Sequence, residues 1–271
     1  MSDDGNNATE PHSLLGKAAL AELGASLLQL AVMPGGLSST PVEDRGPGRA
    51  RPVVLVHGWG AARTSMLGIH AALRFSGFDR VYGFFYSSED SSGGIEAIAE
   101  KLAGYVGRVR EACGGRQTVD LVCHSLGGLA ARYFLQNLGG NKLVDQCITI
   151  ATPHGGSYAS YWVPTAVGRQ LRPESEFIRE LNAPGHRAPG VRFHSFGAAL
   201  DLMVLPRESA LYYEGSARMV PGAGHNGILL NPQVLRETCE RLSTGQDVVA
   251  PAAARAISAA VNLVRRLRQG I

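Results

Sequence analysis

Short apolar runs alternate with longer amphipathic stretches along most of this chain. The first run is Val53-Val54-Leu55-Val56, and comparable runs occupy residues 81–86, 119–122, 144–151, 191–196 and 217–220. Continuous apolar runs of this length are typical of strands that are buried on both faces of a parallel sheet. The sequence therefore predicts about six strands.

Apolar residues at helical spacing fill the intervals between these runs. The stripe is clearest in residues 92–111, and it recurs in residues 64–75, 126–138 and 232–242. Strands that alternate with helices of this length indicate βαβ units, so we predict an α/β fold with a mostly parallel sheet flanked by helices. Residues 155–190 interrupt the alternation and predict a short lid-like insertion.

The two ends of the chain differ from its middle. Residues 1–50 predict an N-terminal helix followed by a linker, residues 51–244 the α/β domain, and residues 245–271 an amphipathic helix with a basic face. Each terminal helix could pack on its own domain, and the alternative is that it lies on a membrane or lipid surface.

Composition narrows the classes of partner. A chain of 271 residues that is 45% apolar can bury one large core. The net charge of +3 is small and evenly spread, which argues against a nucleic-acid partner. The four cysteines form no C-x-x-C pair and no acidic ligand cluster is evident, so we expect no metal site. A disulfide between Cys113 and Cys239 stays open.

The beginning of the chain does not look like a secretory signal. It carries Asp3, Asp4 and Glu10 but no Lys or Arg within its first ten residues. No stretch reaches the roughly 18 uncharged apolar residues that a membrane span needs. We therefore favour a cytoplasmic or peripheral membrane location, with secretion possible and the oligomeric state open.

The third apolar run leads into the most informative motif. Cys123-His124-Ser125-Leu126-Gly127-Gly128 lies between this run and a helical pattern. A strand, a sharp turn with Ser at its apex and a helix make up a nucleophile elbow, whose G-x-S-x-G pattern is matched here with Cys123 in the first position. Ser125 is therefore a candidate nucleophile, although a Ser that merely caps the helix would look similar.

Two further stretches could complete a catalytic site. His57-Gly58-Trp59-Gly60 follows the first strand, and we expect the backbone N–H groups of Trp59 and Leu126 to form an oxyanion hole. His225 lies in a Gly-rich loop after the last predicted strand and is the candidate base.

Among the acidic residues, Asp201 best fits the third position of a triad. It follows the fifth predicted strand at the carboxyl edge of the sheet, and it respects the chain order Ser, Asp, His. Asp120 and Asp145 should lie away from that edge. We expect His57 to fix the oxyanion turn by hydrogen bonding and His124 to be buried and structural, and His154 could line the pocket.

From about residue 53 to residue 234 these motifs together resemble the small bacterial triacylglycerol lipases of the α/β-hydrolase superfamily. The likeness includes Thr152-Pro153 after the fourth predicted strand, Asp201-Leu202-Met203-Val204 and Gly224-His225-Asn226-Gly227. It implies an α/β-hydrolase fold and ester hydrolysis by Ser125, Asp201 and His225 without a cofactor. The longer insertion and the helical extensions depart from the smallest members of that family.

The expected activity is hydrolysis of carboxylic esters with apolar acyl chains, so the expected partner is a lipid or small ester. A thioesterase, phospholipase or acyltransferase would use the same triad, and a non-catalytic lipid-binding protein could share the fold. The predicted pocket residues are Trp59, Met66, Leu126, Trp162, Met203 and Ile228.

Overall fold

One six-stranded, all-parallel sheet forms the centre of the protein in a computed structural model. The structure describes residues 22–24, 26–27, 36–43, 46, 48 and 50–246. The strand order is β2-β1-β3-β4-β5-β6. The strands are β1 (Val53–Val56), β2 (Val81–Phe84), β3 (Val119–His124), β4 (Val144–Ile150), β5 (Arg192–Ala198) and β6 (Ser216–Val220). This confirms the predicted α/β fold and its six strands.

Helices connect the strands and cover both faces of the sheet. They are α1 (Leu67–Phe75), α2 (Gly94–Ala112), α3 (Leu126–Asn137), α4 (Ala166–Gln170), α5 (Glu176–Leu181) and α6 (Pro232–Ser243). Each of the predicted helices between residues 64 and 242 has a counterpart. Short 3₁₀ turns precede α1 and α2, which is why the helices predicted from residues 64 and 92 begin a few residues later.

The alternation of side chains along β1 shows why its apolar run is continuous. Val54 and Val56 pack in a core that contains residues of α2 and α3, whereas Val53 and Leu55 pack in a second core with residues of α1 and α6. Because successive side chains in a strand point to opposite faces, a strand with helices on both sides needs apolar residues at every position.

The stretch between β4 and β5 is more ordered than its irregular sequence indicates. It contains a 3₁₀ segment at Tyr158–Trp162 together with α4 and α5. Side-chain oxygens of Ser157, Thr165 and Ser175 accept backbone N–H groups at the three N-termini. Such caps let very short helices form. That residues 155–190 act as a lid remains a prediction.

An ion network lies at the edge of the sheet where the strands begin. The Asp120 carboxylate receives Arg51 Nε at 3.1 Å and Gln246 Nε2 at 2.9 Å, and Arg51 also pairs with Asp145 at 2.9 Å. Burial raises the pKa of Asp120 to about 6 even though Arg51 acts to lower it. Both acidic residues are therefore at the edge opposite Ser125, as expected.

Three further expectations concern the described residues. All four cysteines are free and buried, so Cys113 and Cys239 are not joined. No described helix is long and apolar enough to cross a membrane, and the described residues contain no cluster of metal-ligating side chains. Of the C-terminal helix predicted at residues 245–271, residues 245 and 246 are described and are not helical, and the remainder lies outside the described residues. Of the predicted N-terminal helix, residues 22–24 and 26–27 are described, and they are helical.

Candidate active site

The site lies where the direction of strand order changes. From β1 the chain crosses to β2 on one side and then returns to place β3 on the other side of β1. The carboxyl ends of β1 and β3 are therefore neighbours whose following loops diverge, and in open α/β sheets this crevice is where ligands bind. The turn of residues 57–60 follows β1, and Ser125 follows β3.

Ser125 has the strained backbone of a nucleophile elbow. Its φ is 51° and its ψ is −126°, a conformation that costs energy for a residue with a side chain. A hydrogen bond of 2.9 Å from its N–H to the carbonyl of Ile150 holds it in place. The strained turn leaves the hydroxyl at the start of α3, above the sheet.

Two glycines after Ser125 are required by close packing. A Cβ on Gly127 would lie 2.5 Å from the carbonyl oxygen of His57, and one on Gly128 would lie 2.1 Å from Oγ1 of Thr152. Neither distance is possible for a real methyl group. The small residues of the motif therefore bring the elbow helix against the turn after β1 and against the loop after β4.

Three side chains that are distant in sequence meet at this point. The hydroxyl of Ser125 donates to Nε2 of His225 across 3.0 Å, and Nδ1 of His225 donates to Oδ2 of Asp201 across 2.8 Å. This chain of hydrogen bonds requires the neutral His225 tautomer that carries its proton on Nδ1. Ser125, His225 and Asp201 are thus arranged as a Ser-His-Asp triad.

Asp201 is prepared to remain charged. Burial by itself raises the pKa of a carboxyl group, but the hydrogen bond and charge of His225, with the N–H groups of Val204 and Met203, lower the pKa of Asp201 below its ordinary value. Those N–H groups donate to Oδ1 at 2.9 and 2.7 Å, so Oδ2 is left for His225. The carboxylate is buried, oriented and anionic.

His124 holds the loop that carries the base. Its Nε2 donates to the carbonyl oxygen of His225 across 3.0 Å, and its Nδ1 has no hydrogen-bond partner among the described residues. Burial, together with the nearby His225, lowers the pKa of His124 to about 3. The ring is therefore neutral and serves as a structural donor.

The turn after β1 approaches the nucleophile closely. A Cβ on Gly58 would lie 3.0 Å from Cβ of Ser125, so a side chain there would press against the nucleophile. Neither Trp59 nor Leu126 uses its backbone N–H in a hydrogen bond within the described part of the chain. Two donors beside a Ser hydroxyl are the requirement for an oxyanion hole.

His57 fixes this turn from below. Its Nδ1 donates to the carbonyl of Gly58 at 2.7 Å, its Nε2 accepts the N–H of Tyr86 at 3.4 Å, and its ring stacks on Tyr86 with centroids 4.4 Å apart. Burial lowers the pKa of His57 to about 4, so the ring stays neutral. The predicted structural role of His57 agrees with these contacts.

A cavity of 360 Å³ opens at the triad, within the range of about 300 to 1,000 Å³ for small-molecule sites. Three predicted pocket residues, Trp59, Leu126 and Met203, line it. Val163, which the sequence marks as a possible acyl-chain wall in the insertion, lines it as well. Further lining residues, which were not predicted as pocket residues, include Ala61, Ala62, Pro153, Ser157, Ala159, Ser160, Leu171 and Val204.

The other predicted pocket residues lie elsewhere. Met66 and Ile228 are 1% and 0% exposed in the core beneath the sheet, because each lies in a 3₁₀ turn whose apolar side faces that core. Trp162 is 89% exposed and does not line the cavity. His154 is buried with Nε2 2.9 Å from Oγ1 of Thr149, so its neighbour Pro153 lines the cavity instead.

With this geometry in place, comparison with known proteins identifies the family. The family model for palmitoyl protein thioesterases matches residues 52–187. The chain belongs to this family. The matched segment contains the turn after β1, the elbow and most of the insertion, and it ends before Asp201 and His225.

The chain also resembles bacterial lipases in sequence. It is 33% identical over 146 residues to a triacylglycerol lipase from Burkholderia plantarii, covering 52% of this chain and 38% of the lipase. It is 37% identical over 112 residues to a triacylglycerol lipase from Pseudarthrobacter phenanthrenivorans, covering 39% and 34%. The chain thus spans little more than a third of the length of these relatives.

Solved structures share the fold of this thioesterase-family chain. The lipase BlEst2 of Bacillus licheniformis in its mature form superposes with a TM-score of 0.61 at 13% identity, covering 75% of this chain and 96% of the other. Lipase B of Aspergillus fumigatus gives a TM-score of 0.59 at 19% identity, with 74% and 54% coverage. Both comparisons confirm the α/β-hydrolase fold.

Proposed function

We propose that this protein is a serine hydrolase that cleaves carboxylic esters of apolar acyl chains. The observation that supports this most strongly is the chain of hydrogen bonds from Ser125 to His225 and from His225 to Asp201, at 3.0 and 2.8 Å. It opens into a largely apolar cavity. The lipase names of its relatives from Burkholderia plantarii and Pseudarthrobacter phenanthrenivorans point to the same chemistry.

The proposed reaction begins at the Ser125 hydroxyl. Nε2 of His225 takes the hydroxyl proton while Oγ forms a bond to the ester carbonyl carbon, and the carbonyl oxygen becomes an oxyanion. The buried carboxylate of Asp201 stabilises the resulting imidazolium. When the tetrahedral intermediate collapses, the bond to the leaving oxygen breaks, and His225 returns its proton to that oxygen.

Water completes the cycle. His225 removes a proton from the water molecule as its oxygen attacks the acyl-enzyme, and the second tetrahedral intermediate releases the carboxylic acid and the Ser125 hydroxyl. In both steps the N–H groups of Trp59 and Leu126 would hold the oxyanion. Losing one such donor typically costs about 10²- to 10³-fold in rate.

A thioester substrate is the second candidate, and the family match favours it. The acyl half of an ester and of a thioester would occupy the same cavity, and both pass through the same acyl-enzyme. A thiolate needs less help from a proton donor than an alkoxide when it leaves. Hydrolysis of thioesters should therefore depend less on the proton that His225 returns than hydrolysis of esters does.

Apolar side chains at the mouth of the cavity support the idea that the substrate reaches the site from a lipid surface. Met203 lines the cavity and is nevertheless 58% exposed, and Leu202 and Trp162 are exposed as well. Exposed apolar groups beside a site are typical of surfaces that contact lipid or protein. Contact with a membrane or lipid interface is part of the proposal. A rate that does not change when an oil–water interface is present would count against it.

The proposal is tested with a matched pair of substrates, an octanoyl p-nitrophenyl ester and octanoyl-CoA. The wild type should hydrolyse at least one of them, and Ser125→Ala should lose nearly all activity, keeping at most roughly 10³-fold over water. Wild-type rates in Ser125→Ala would rule out the nucleophile.

Two further measurements identify the acyl acceptor and the preferred substrate, ester or thioester. Octanoate as the product in the presence of added alcohol indicates hydrolysis, whereas an octanoyl ester of that alcohol indicates an acyltransferase. A kcat/KM for octanoyl-CoA well above that for the ester assigns the thioesterase reaction. If neither substrate is hydrolysed and a fluorophosphonate does not label Ser125, the result would favour a lipid-binding protein.

A further inference from the structure

The catalytic-base loop is in contact with the far N-terminal part of the chain. Oε1 of Glu22 accepts the N–H of Asn226 at 2.8 Å, and Oε2 accepts the N–H of Gly227 at 2.8 Å. These partners are 204 and 205 residues apart in sequence. Hydrogen bonds to a carboxylate are about twice as strong as those between neutral groups. One side chain therefore holds two consecutive peptide N–H groups directly after His225.

Two glycines of this loop, Gly224 and Gly227, lie against the Glu22 carboxylate. A Cβ on Gly224 would lie 2.4 Å from Oε2 of Glu22, and one on Gly227 would lie 3.1 Å from the same oxygen. Neither glycine has a positive φ. Backbone conformation alone would therefore allow larger residues at both positions. A side chain at Gly224 would instead displace the Glu22 carboxylate from its present position, and one at Gly227 would press against it.

Glu22 also provides a cap that the loop lacks. Gly227–Leu230 is a 3₁₀ turn whose N-cap residue, Asn226, makes no side-chain capping bond. The first N–H groups of a helical turn need acceptors from outside, and a negative charge is favourable there. The side-chain amide of Asn226 instead donates through Nδ2 to Oγ of Ser26 at 3.1 Å, and Ser26 lies one helical turn after Glu22.

The peptide unit between His225 and Asn226 is consequently held at both ends. The His124 ring donates to its carbonyl oxygen at 3.0 Å, and Glu22 accepts its N–H at 2.8 Å. On the side of the sheet, Ile228 and Leu229 anchor the following residues in the core. Of these contacts, those of Glu22 come from outside the α/β domain.

We propose that Glu22 is a positioning residue for the catalytic base and that Glu22 and Ser26 together brace the His225 loop from outside the α/β domain. The inference rests on the proposed function, since it assigns His225 the role of base. Without the carboxylate, the loop would relax away from Ser125. Misplacement of a catalytic group by about 1 Å can cost about 10²-fold in rate.

The test compares Glu22→Ala with Glu240→Ala, which removes an equal charge from an exposed pair on α6. Glu22→Ala should lower kcat for a p-nitrophenyl ester by about 10- to 100-fold and change KM by less than about 3-fold, because substrate contacts stay intact. Glu22→Gln keeps one acceptor oxygen and should fall between the two. Glu240→Ala should match the wild type.

A second variant tests whether the effect comes from this contact. The added methyl group of Gly224→Ala meets the flexible end of Glu22, so it should reduce kcat in the wild type but have little further effect in Glu22→Ala. Additive losses in the double variant would overturn the proposal.

Amide hydrogen exchange separates this proposal from the proposed function, because it needs no turnover. Exchange at Asn226 and Gly227 should rise about 10-fold or more in Glu22→Ala and remain unchanged in Glu240→Ala. Unchanged exchange would overturn the brace, and so would faster exchange with an unaltered kcat. If the wild type hydrolyses no ester or thioester, the proposed function fails, while the exchange result still decides whether Glu22 holds the loop.

Discussion

At the residue scale, each residue of the triad has neighbours that fix its conformation or its charge. The strained φ of 51° at Ser125 is maintained by its bond to Ile150, and Asp201 is kept anionic by donors that the backbone supplies. His225 is oriented from its ring by Asp201 and from its carbonyl by His124. The chemistry thus depends on neighbours that take no part in proton transfer.

The first prediction concerns Gly127. Gly127→Ala would place a methyl carbon 2.5 Å from the carbonyl oxygen of His57, a backbone atom that cannot move alone. We expect a loss of about 1–3 kcal/mol in the free energy of unfolding, the usual cost of overpacking. Activity should fall more than about 10²-fold because the turn that carries the proposed oxyanion donor shifts. Urea unfolding and ester kinetics measure the two effects.

Gly107→Ala is the control for this prediction. Gly107 lies within α2, and an added Cβ would meet no atom within 4 Å. The free energy of unfolding of this variant should rise by roughly 0.5–1 kcal/mol, because alanine loses less conformational freedom than glycine when a helix forms. If Gly127→Ala were as stable and active as Gly107→Ala, the close packing of the elbow would be wrong.

At the element scale, the apolar runs located every strand, but the ends depended on contacts that a single sequence does not contain. The second run predicts a strand to residue 86, whereas β2 ends at Phe84. The N–H groups of Phe85 and Tyr86 donate to the side chains of Ser39 and His57 instead of a neighbouring strand. β5 continues to Ala198 because Gly197 and Ala198 pair with β6.

The site was predictable where its residues follow strands. Ser125, Asp201 and His225 each lie just beyond a strand or in the loop after one, and parallel strands bring such positions to one edge. Pocket residues were less predictable because their side chains belong to short 3₁₀ turns, in which a change of one residue turns the side chain from cavity to core. Trp162 and Val163 are adjacent, yet Val163 lines the cavity.

A prediction for the insertion follows from this difference. Val163→Ala removes two methyl groups from the cavity wall and should raise kcat/KM for longer acyl chains about 4-fold for each additional methylene that becomes buried. Trp162→Ala should leave the chain-length profile of soluble esters unchanged, because that side chain is 89% exposed. A p-nitrophenyl ester series measures both profiles. The opposite pattern would show that Trp162 forms the wall.

At the scale of the whole molecule, three buried neutral histidines link stability to pH. Burial lowers the pKa of His57 to about 4, that of His124 to about 3 and that of His154 well below its ordinary value of 6.5. The unfolded chain binds these protons near pH 6.5, and the folded chain does not. Their contribution to stability is therefore complete above pH 6.5 and is lost as the pH falls.

Asp120 acts in the opposite direction. Its pKa is raised from 3.8 to about 6, so between these values the folded chain binds one proton more than the unfolded chain. Near pH 5, His57, His124 and Asp120 together leave a net uptake of about one proton on unfolding, and His154 adds to it. The free energy of unfolding should therefore fall by more than about 1 kcal/mol for each unit by which the pH falls. Urea denaturation between pH 5.5 and 4.5 measures the slope.

His154→Gln provides the check on this origin. It should make the slope smaller, because burial lowers the pKa of His154 well below 6.5 and the substitution removes that contribution. A slope that the substitution leaves unchanged would mean that His154 is already protonated in the folded protein.

The division of the chain into segments 1–50, 51–244 and 245–271 remains a prediction. The roles of the two terminal helices also remain predictions.

The most direct test of the central claim is to trap the acyl-enzyme. The protein is mixed with excess p-nitrophenyl octanoate, quenched in acid within one turnover, and digested for mass spectrometry. We predict one octanoyl group per chain on Ser125 and a strong reduction of this adduct in His225→Gln at equal folding. Turnover with no adduct on Ser125, or with an adduct on another residue, would contradict the account.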